Sequence, residues 1–172
     1  MSVSVSVRRA RPEEFEALGE ITAAAYVGDG LLNADTDRPY LGVLRDVADR
    51  AATAEVLVAV DGAGTVLGGV TFVAGPGPYA DLARPDEAEF RTLAVAGASR
   101  GLGVGEALVR ACIDRAHAIE GCARLVISTQ PSMAAAGRLY RRLNFVRIPD
   151  RDWMPVPHIT LLTYGLDLEP PG

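Results

Sequence analysis

Between Leu93 and Leu108 the chain reads Leu-Ala-Val-Ala-Gly-Ala-Ser-Arg-Gly-Leu-Gly-Val-Gly-Glu-Ala-Leu. An apolar strand enters a turn carrying Gly101, Gly103 and Gly105, and a helix leaves it at once. Glycines let a backbone approach a ligand closely, and a helix start leaves several N–H groups without an acceptor, aimed at an anion. Arg100 adds a full positive charge beside them. Together these residues make a pyrophosphate cradle. Two familiar phosphate-binding turns are excluded. A P-loop needs a Gly-Lys-[Ser/Thr] ending, and this chain contains no Lys. A Rossmann fingerprint fails because Glu106 stands at the third glycine position, and because roughly ninety residues of antiparallel signals precede the turn. The plainer alternative is that small residues only permit a tight strand-to-helix turn.

Length and composition narrow the rest. The 172 residues are 49% apolar, which suits one folded domain rather than a disordered chain. All 17 basic residues are Arg against 22 acids, so the chain lacks the basic excess of a nucleic-acid binder. Without Lys there is no Schiff-base chemistry. No apolar run approaches the ~18 residues of a membrane span, and the start has no signal-peptide pattern. Cys112 and Cys122 form no CxxC, and His117 and His158 stand apart, so no metal site is expected. Two reduced cysteines fit a cytoplasmic protein.

Val3, Val5 and Val7 alternate with Ser as a half-buried strand does. Pro12, Glu13 and Glu14 open a helix whose buried face carries Phe15, Leu18, Ile21 and Ala25. A loop from Val27 to Pro39 holds Asp29, Asp35 and Asp37. The spacing of Leu41, Leu44, Val47 and Ala48 predicts a second helix over about 40–51. Strands at 55–60 and 66–73 flank the hairpin signal Asp61-Gly-Ala-Gly64, and a third runs over 88–95. Helices follow at 104–119 and 132–143, with strands at 125–128, 145–148 and 159–168. The expected order is βααβββαβαββ: an α/β (α+β) fold with a mixed, mostly antiparallel sheet of about seven strands and four helices. Residues 1–168 read as a single domain, and 169–172 as a disordered tail.

Two motifs then add a family. Arg100-Gly-Leu-Gly103-Val-Gly105 resembles the R-x-x-G-x-G motif of the GNAT superfamily of N-acetyltransferases, with Leu93-Ala-Val95 at the expected distance before it. Tyr140-Arg-Arg-Leu-Asn-Phe145 resembles the family's second signature, a helix ending in Tyr followed by Gly-Phe. Asn144 replaces that Gly, and Asn is the next-best residue at a left-handed helix stop. Met133 stands where the family often has Asn. The resemblance spans nearly the whole chain. It implies a single acyl-CoA N-acyltransferase domain using acetyl-CoA as cosubstrate, with no metal. It implies that the backbones of Leu93, Ala94 and Val95 hold the pantetheine amides. It further implies that Arg100, Gly101, Leu102, Gly103, Val104 and Gly105 hold the pyrophosphate.

The resemblance also implies transfer of acetyl to a primary amine, a small molecule before a protein, by direct attack in a ternary complex. The donor for the developing oxyanion would lie on the strand backbone near Val95. Tyr140 would protonate the leaving thiolate; its other reading is a core aromatic among Ala136, Leu139 and Leu143. Glu89 would deprotonate the amine; its other reading is a solvent-facing Glu in an alternating strand. His158 is the alternative base. By analogy, Tyr26, Tyr40, Tyr79 and Trp153 would border the acceptor pocket. The apolar run Ile159–Tyr164 allows a homodimer. The rival readings are a CoA-binding module without turnover, and an O-acetyl or longer-acyl transferase of the same fold.

Overall fold

Asp61 closes the first hairpin. Its Oδ1 accepts the N–H groups of Ala63 and Thr65, both at 2.9 Å, and Gly64 supplies a φ of +84° that side chains resist. The flanking runs, β2 (Glu55–Val60) and β3 (Val66–Val73), pair antiparallel from Glu55↔Phe72 to Val60↔Val66, with a bulge at Ala59/Val60. β1 (Ser6–Arg9) pairs antiparallel with β2, Val7 opposite Ala59. The computed structural model describes residues 4–28, 35, 37–131, 133–157 and 159–168. Its remaining elements are α1 (Phe15–Gly28), α2 (Arg38–Arg45), α3 (Val47–Thr53), β4 (Glu87–Val95), α4 (Val104–His117), β5 (Arg124–Thr129), α5 (Ala134–Arg142), β6 (Val146–Arg147), β7 (Trp153–Val156) and β8 (Ile159–Asp167). The mostly antiparallel sheet of eight strands runs β1-β2-β3-β4-β5-β8-β6, with β7 on β8.

The expected element order holds with two additions. The helix expected over 40–51 is two helices, because Asp46 leaves the helical region (φ −82°, ψ 70°) and its side chain caps the next by accepting the Asp49 N–H. Ala48, expected inside, is exposed. The run before the last strand, read as a loop, contains β7, whose Trp153 lies opposite Leu161 of β8. Most of the Val27–Pro39 loop, Ser132, His158 and the 169–172 tail lie outside the described residues.

The residues group into two compact units. The first comprises Met1–Phe72 and Thr92–Cys112. Leu18 of α1 and Val47 of α3 cover Val56, Val58 and Val60 of β2, while Ala23 of α1 packs with Leu41 and Leu44 of α2. Helix α1 approaches α2 so closely that a Cβ on Gly19 would lie 2.5 Å from the Arg45 carbonyl. The second unit comprises Val73–Arg91 and Ile113–Gly172. There β4 and β5 pair in parallel from Glu87↔Arg124 to Glu89↔Val126, and β8 pairs antiparallel with β5 and β6. Asn144 ends α5 at φ +74°, the left-handed stop that its place after Leu143 predicts. Among the described residues no helix is long and apolar enough to cross a membrane.

Gly68 of β3 fixes how β4 and α4 meet. A Cβ there would lie 2.5 Å from the Ala94 carbonyl oxygen, 3.2 Å from the Val95 Cα and 3.3 Å from a Val104 methyl. Backbone cannot yield as a side-chain tip can. Gly68→Ala should therefore lower stability by about 1–3 kcal/mol, as overpacking does. Gly62→Ala, with nothing within 4 Å, should change it by less than about 0.5 kcal/mol. Urea unfolding of the pair makes the comparison.

Candidate active site

The cradle lies in the first unit. β4 ends at Val95, and the Ala96 N–H donates to the Leu67 carbonyl at 2.8 Å, tying the exit of the strand to β3. A short 3-10 turn (Gly97–Ser99) precedes Arg100, and Gly101 and Gly103 both take φ +80°. Only glycine adopts that conformation cheaply, and a Cβ at either position would meet nothing within 4 Å. Helix α4 starts at once: the Ala107 N–H reaches the Gly103 carbonyl at 3.0 Å, and the N–H groups before it have no helical acceptor. Gly105 sits in the first helical turn, outside the left-handed region. Val104 is buried and Leu102 exposed, so backbone and side chain divide the work. Alternating left-handed turns ahead of a helix start form a concavity of N–H groups suited to phosphate oxygens.

Thr92 breaks β4. Its φ of +59° is unusual for a β-branched residue and costs about 1–3 kcal/mol. On the near side, Glu87, Glu89 and Arg91 share one side of the strand by alternation, and Ala88 and Phe90 the other. Beyond it run Leu93, Ala94 and Val95.

Glu89 belongs to the second unit, and its environment is not that of a solvent-facing residue: it is 1% exposed. Its Oε1 accepts the N–H groups of Asp81, Leu82 and Ala83 at 3.0, 2.8 and 3.0 Å, and Oε2 takes a longer 3.2 Å bond from Asp81. Burial pushes the carboxyl above its ordinary value; the N–H groups of Leu82, Ala83 and Asp81 pull it back without offsetting this, and the Asp81 charge adds to the rise. Arg91 holds the same loop by the Tyr79 carbonyl at 2.9 Å and the Asp81 carboxylate at 2.7 Å. Glu87 accepts the Arg84 N–H at 3.1 Å and both nitrogens of Arg151 at 2.9 Å. Burial alone would raise Glu87, but Arg151, the Arg84 N–H and Arg124 outweigh it and hold the carboxyl low. Nothing in the periodicity pointed to Asp81, Glu87, Arg91 or Arg151; the one available signal was charge at three alternate positions of β4.

Tyr140, also in the second unit, sits on the other side of β4. It is 3% exposed, with its ring centroid 5.8 Å from Phe90, 5.8 Å from Phe145 and 5.7 Å from Tyr164. The core-aromatic reading therefore describes its ring. Gly137, one turn earlier, leaves room for the Tyr164 hydroxyl, which a Cβ there would meet at 3.2 Å. Met133, in the position of the family Asn, accepts the Thr129 hydroxyl on sulfur at 3.3 Å. Glu89 and Tyr140 are thus on opposite sides of one strand, while Leu93–Val95 and the cradle belong to the first unit.

The remaining candidates scatter. Tyr26 packs half-buried against the Ala23–Leu41–Leu44 cluster, and Tyr40 is exposed. Between α1 and α2 opens a groove of about 550 Å³, floored by Ala23 and Leu41 and rimmed by Glu20, Arg38 and Arg45. The indole N–H of Trp153 is buried with no acceptor among the described residues. Among those residues no group of His, Cys, Asp and Glu could hold a metal ion.

The sequence model of the Acetyltransferase (GNAT) family matches residues 16–145. A GNAT-family acetyltransferase from Staphylococcus aureus Mu50 is similar in structure at 13% identity, with 96% of this chain matched to 100% of that one and a TM-score of 0.74. A GCN5-related N-acetyltransferase from Kribbella flavida is 25% identical over 95% of this chain and 98% of its own, with a TM-score of 0.68. A Salmonella typhimurium protein solved with its cofactor acetyl-CoA is 23% identical over 98% of this chain and 96% of its own, with a TM-score of 0.66. Comparison with the curated proteins finds no match.

The Glu87 environment gives a signed pH dependence. Because its folded pKa is lowered, its stabilisation is present above the ordinary carboxylate value of about 4.3 and is lost as pH falls through the lower folded value. Glu87→Gln should cost about 3 kcal/mol at pH 7, as breaking a buried ion pair does. Denaturant midpoints measured down a pH series should show that cost shrinking below about pH 4.

Proposed function

Since the chain belongs to the GNAT family of acetyltransferases, we propose that it transfers acetyl from acetyl-CoA to a primary amine of a small molecule, by direct attack in a ternary complex. The observation that carries this reading is the cradle: two glycines at φ +80° with open space at their Cβ positions, followed at once by the start of α4. These residues fit a pyrophosphate. The backbone N–H groups from Arg100 to Gly105 would bind it, and the backbones of Leu93, Ala94 and Val95 would take the pantetheine amides. Acetyl-CoA supplies the acyl group as a thioester and leaves as a thiol.

The chain's own residues do the rest. A backbone N–H near Val95 stabilises the charge developing on the acyl oxygen. Tyr140 gives its phenolic proton to the departing sulfur. Glu89 takes the amine proton on Oε2, which carries the longest of its bonds. The raised affinity of its carboxyl for a proton suits that task, since a base works best when matched to the operating pH. Cys112 and Cys122 form no disulfide, which fits a reducing, cytoplasmic setting.

Thiol release from acetyl-CoA over a panel of amines tests the reading, with calorimetric CoA binding in parallel. Tyr140→Phe should lower kcat by about 10²-fold and leave CoA affinity unchanged. Gly103→Val should weaken CoA binding by about tenfold or more, because valine cannot adopt the left-handed turn cheaply, whereas Leu102→Ala should not. CoA binding without release from any amine would leave a binding module. Absence of CoA binding would overturn the reading.

A further inference from the structure

The mechanism uses Glu89 but not the residues that shape its surroundings. Arg151 stands in the 3-10 turn Pro149–Arg151, after β6, and its side chain is 11% exposed. Nη1 donates to Glu87 Oε2 and Nη2 to Glu87 Oε1, both at 2.9 Å, a bidentate fork that fixes the guanidinium plane. Nη2 also donates to the Leu82 carbonyl at 2.7 Å. The N–H of that same Leu82 goes to Glu89 Oε1 at 2.8 Å. One residue of the loop is thus gripped by its carbonyl from Arg151 and presents its N–H to Glu89. Arg84, at the loop's end, gives its N–H to Glu87.

We propose that Arg151 is a positioning residue for Glu89: locked on Glu87, it holds the Leu82 carbonyl so that the N–H groups of Asp81, Leu82 and Ala83 converge on one carboxylate oxygen, and it thereby sets that carboxylate's affinity for protons. The sign follows from the groups around it. Asp81, from the loop, favours the protonated form, and Arg91, on β4 itself, neutralises Asp81 through its 2.7 Å pair. Glu87 on β4 is held by Arg151 from the turn and by Arg124 of β5 at 3.9 Å. Converging N–H donors favour the ionised form. Without Arg151 the Leu82 carbonyl loses its donor and the three N–H groups diverge. That divergence raises the proton affinity of Glu89. A lysine keeps the charge but has no planar fork to bridge Glu87 and Leu82 together.

The consequence for rate rests on the reading that Glu89 takes the amine proton; the positioning itself does not. The test is NMR titration of carboxyl-labelled glutamate in the wild type, Arg151→Gln and Arg151→Lys, with Glu89→Gln assigning the signal. The pH profile of kcat/KM is recorded on the same proteins with an amine that the release assay identifies. Arg151→Gln should raise the Glu89 midpoint by about one pH unit, a tenfold change in proton affinity, and Arg151→Lys by less. Hydrogen exchange at the 81–83 amides should quicken. An unchanged midpoint in folded Arg151→Gln overturns the proposal. Should that variant fail to fold, an unchanged midpoint in Arg151→Lys overturns it equally. If the acidic limb of kcat/KM moves with the midpoint, both readings stand. If the midpoint moves and the rate profile does not follow, Arg151 positions Glu89 but Glu89 is not the base.

Discussion

β4 has to satisfy two sets of neighbours with one run of nine residues. A regular strand could not, because its alternation would commit every odd residue to one side along its length. Thr92 resets the phase. Before it, Glu87, Glu89 and Arg91 face the 79–84 loop, and Phe90 faces the aromatic cluster of Tyr140, Phe145 and Tyr164. After it, the Ala94–Val95 backbone lies so near Gly68 of β3 that no side chain fits between them. The left-handed conformation is unfavourable in itself and is held by what surrounds it, with Phe90 at 0% and Ala94 at 2% exposure on either side.

The two glutamates of β4 show how one physical problem receives two solutions. Each is buried, and a buried carboxylate needs compensation. Glu87 has a guanidinium in bidentate contact, which holds its proton affinity low and makes the pair structural. Among the described residues Glu89 is held by peptide N–H groups, which compensate partly and leave its proton affinity raised. A carboxylate compensated by dipoles alone stays close to the pH range where proton transfer is useful; one locked to a cation does not. The opposite directions of the two carboxyls therefore follow from the type of partner, two residues apart on the same strand.

What could be read in the sequence was what depends on neighbours along the chain. The Asp61–Gly64 hairpin, the left-handed stop at Asn144 and the glycine turn ahead of α4 are each decided by a few consecutive residues. The break at Asp46 was of the same kind, since Asp46 and Asp49 carry a capping pattern that the Leu41–Leu44–Val47 spacing masked. The surroundings of Glu89 were not legible, because its donors come from eight to six residues upstream and their anchor, Arg151, from 64 residues beyond Glu87. Thr92 was illegible for the opposite reason. Threonine is a good strand residue, and only tertiary packing places it in a conformation that its own chemistry disfavours.

The glycine turn ahead of α4 is specified by conformation: φ of +80° at Gly101 and Gly103, a helix starting at Val104, and a β3 glycine that lets β4 approach. Leu102 is exposed and carries none of that burden. Side chains are held differently, Tyr140 by a cluster of rings and Glu89 by a loop that Arg91 and Arg151 tie down. The glycine turn therefore depends on the conformation of a few consecutive residues, whereas the surroundings of Glu89 depend on a charged network drawn from three parts of the chain.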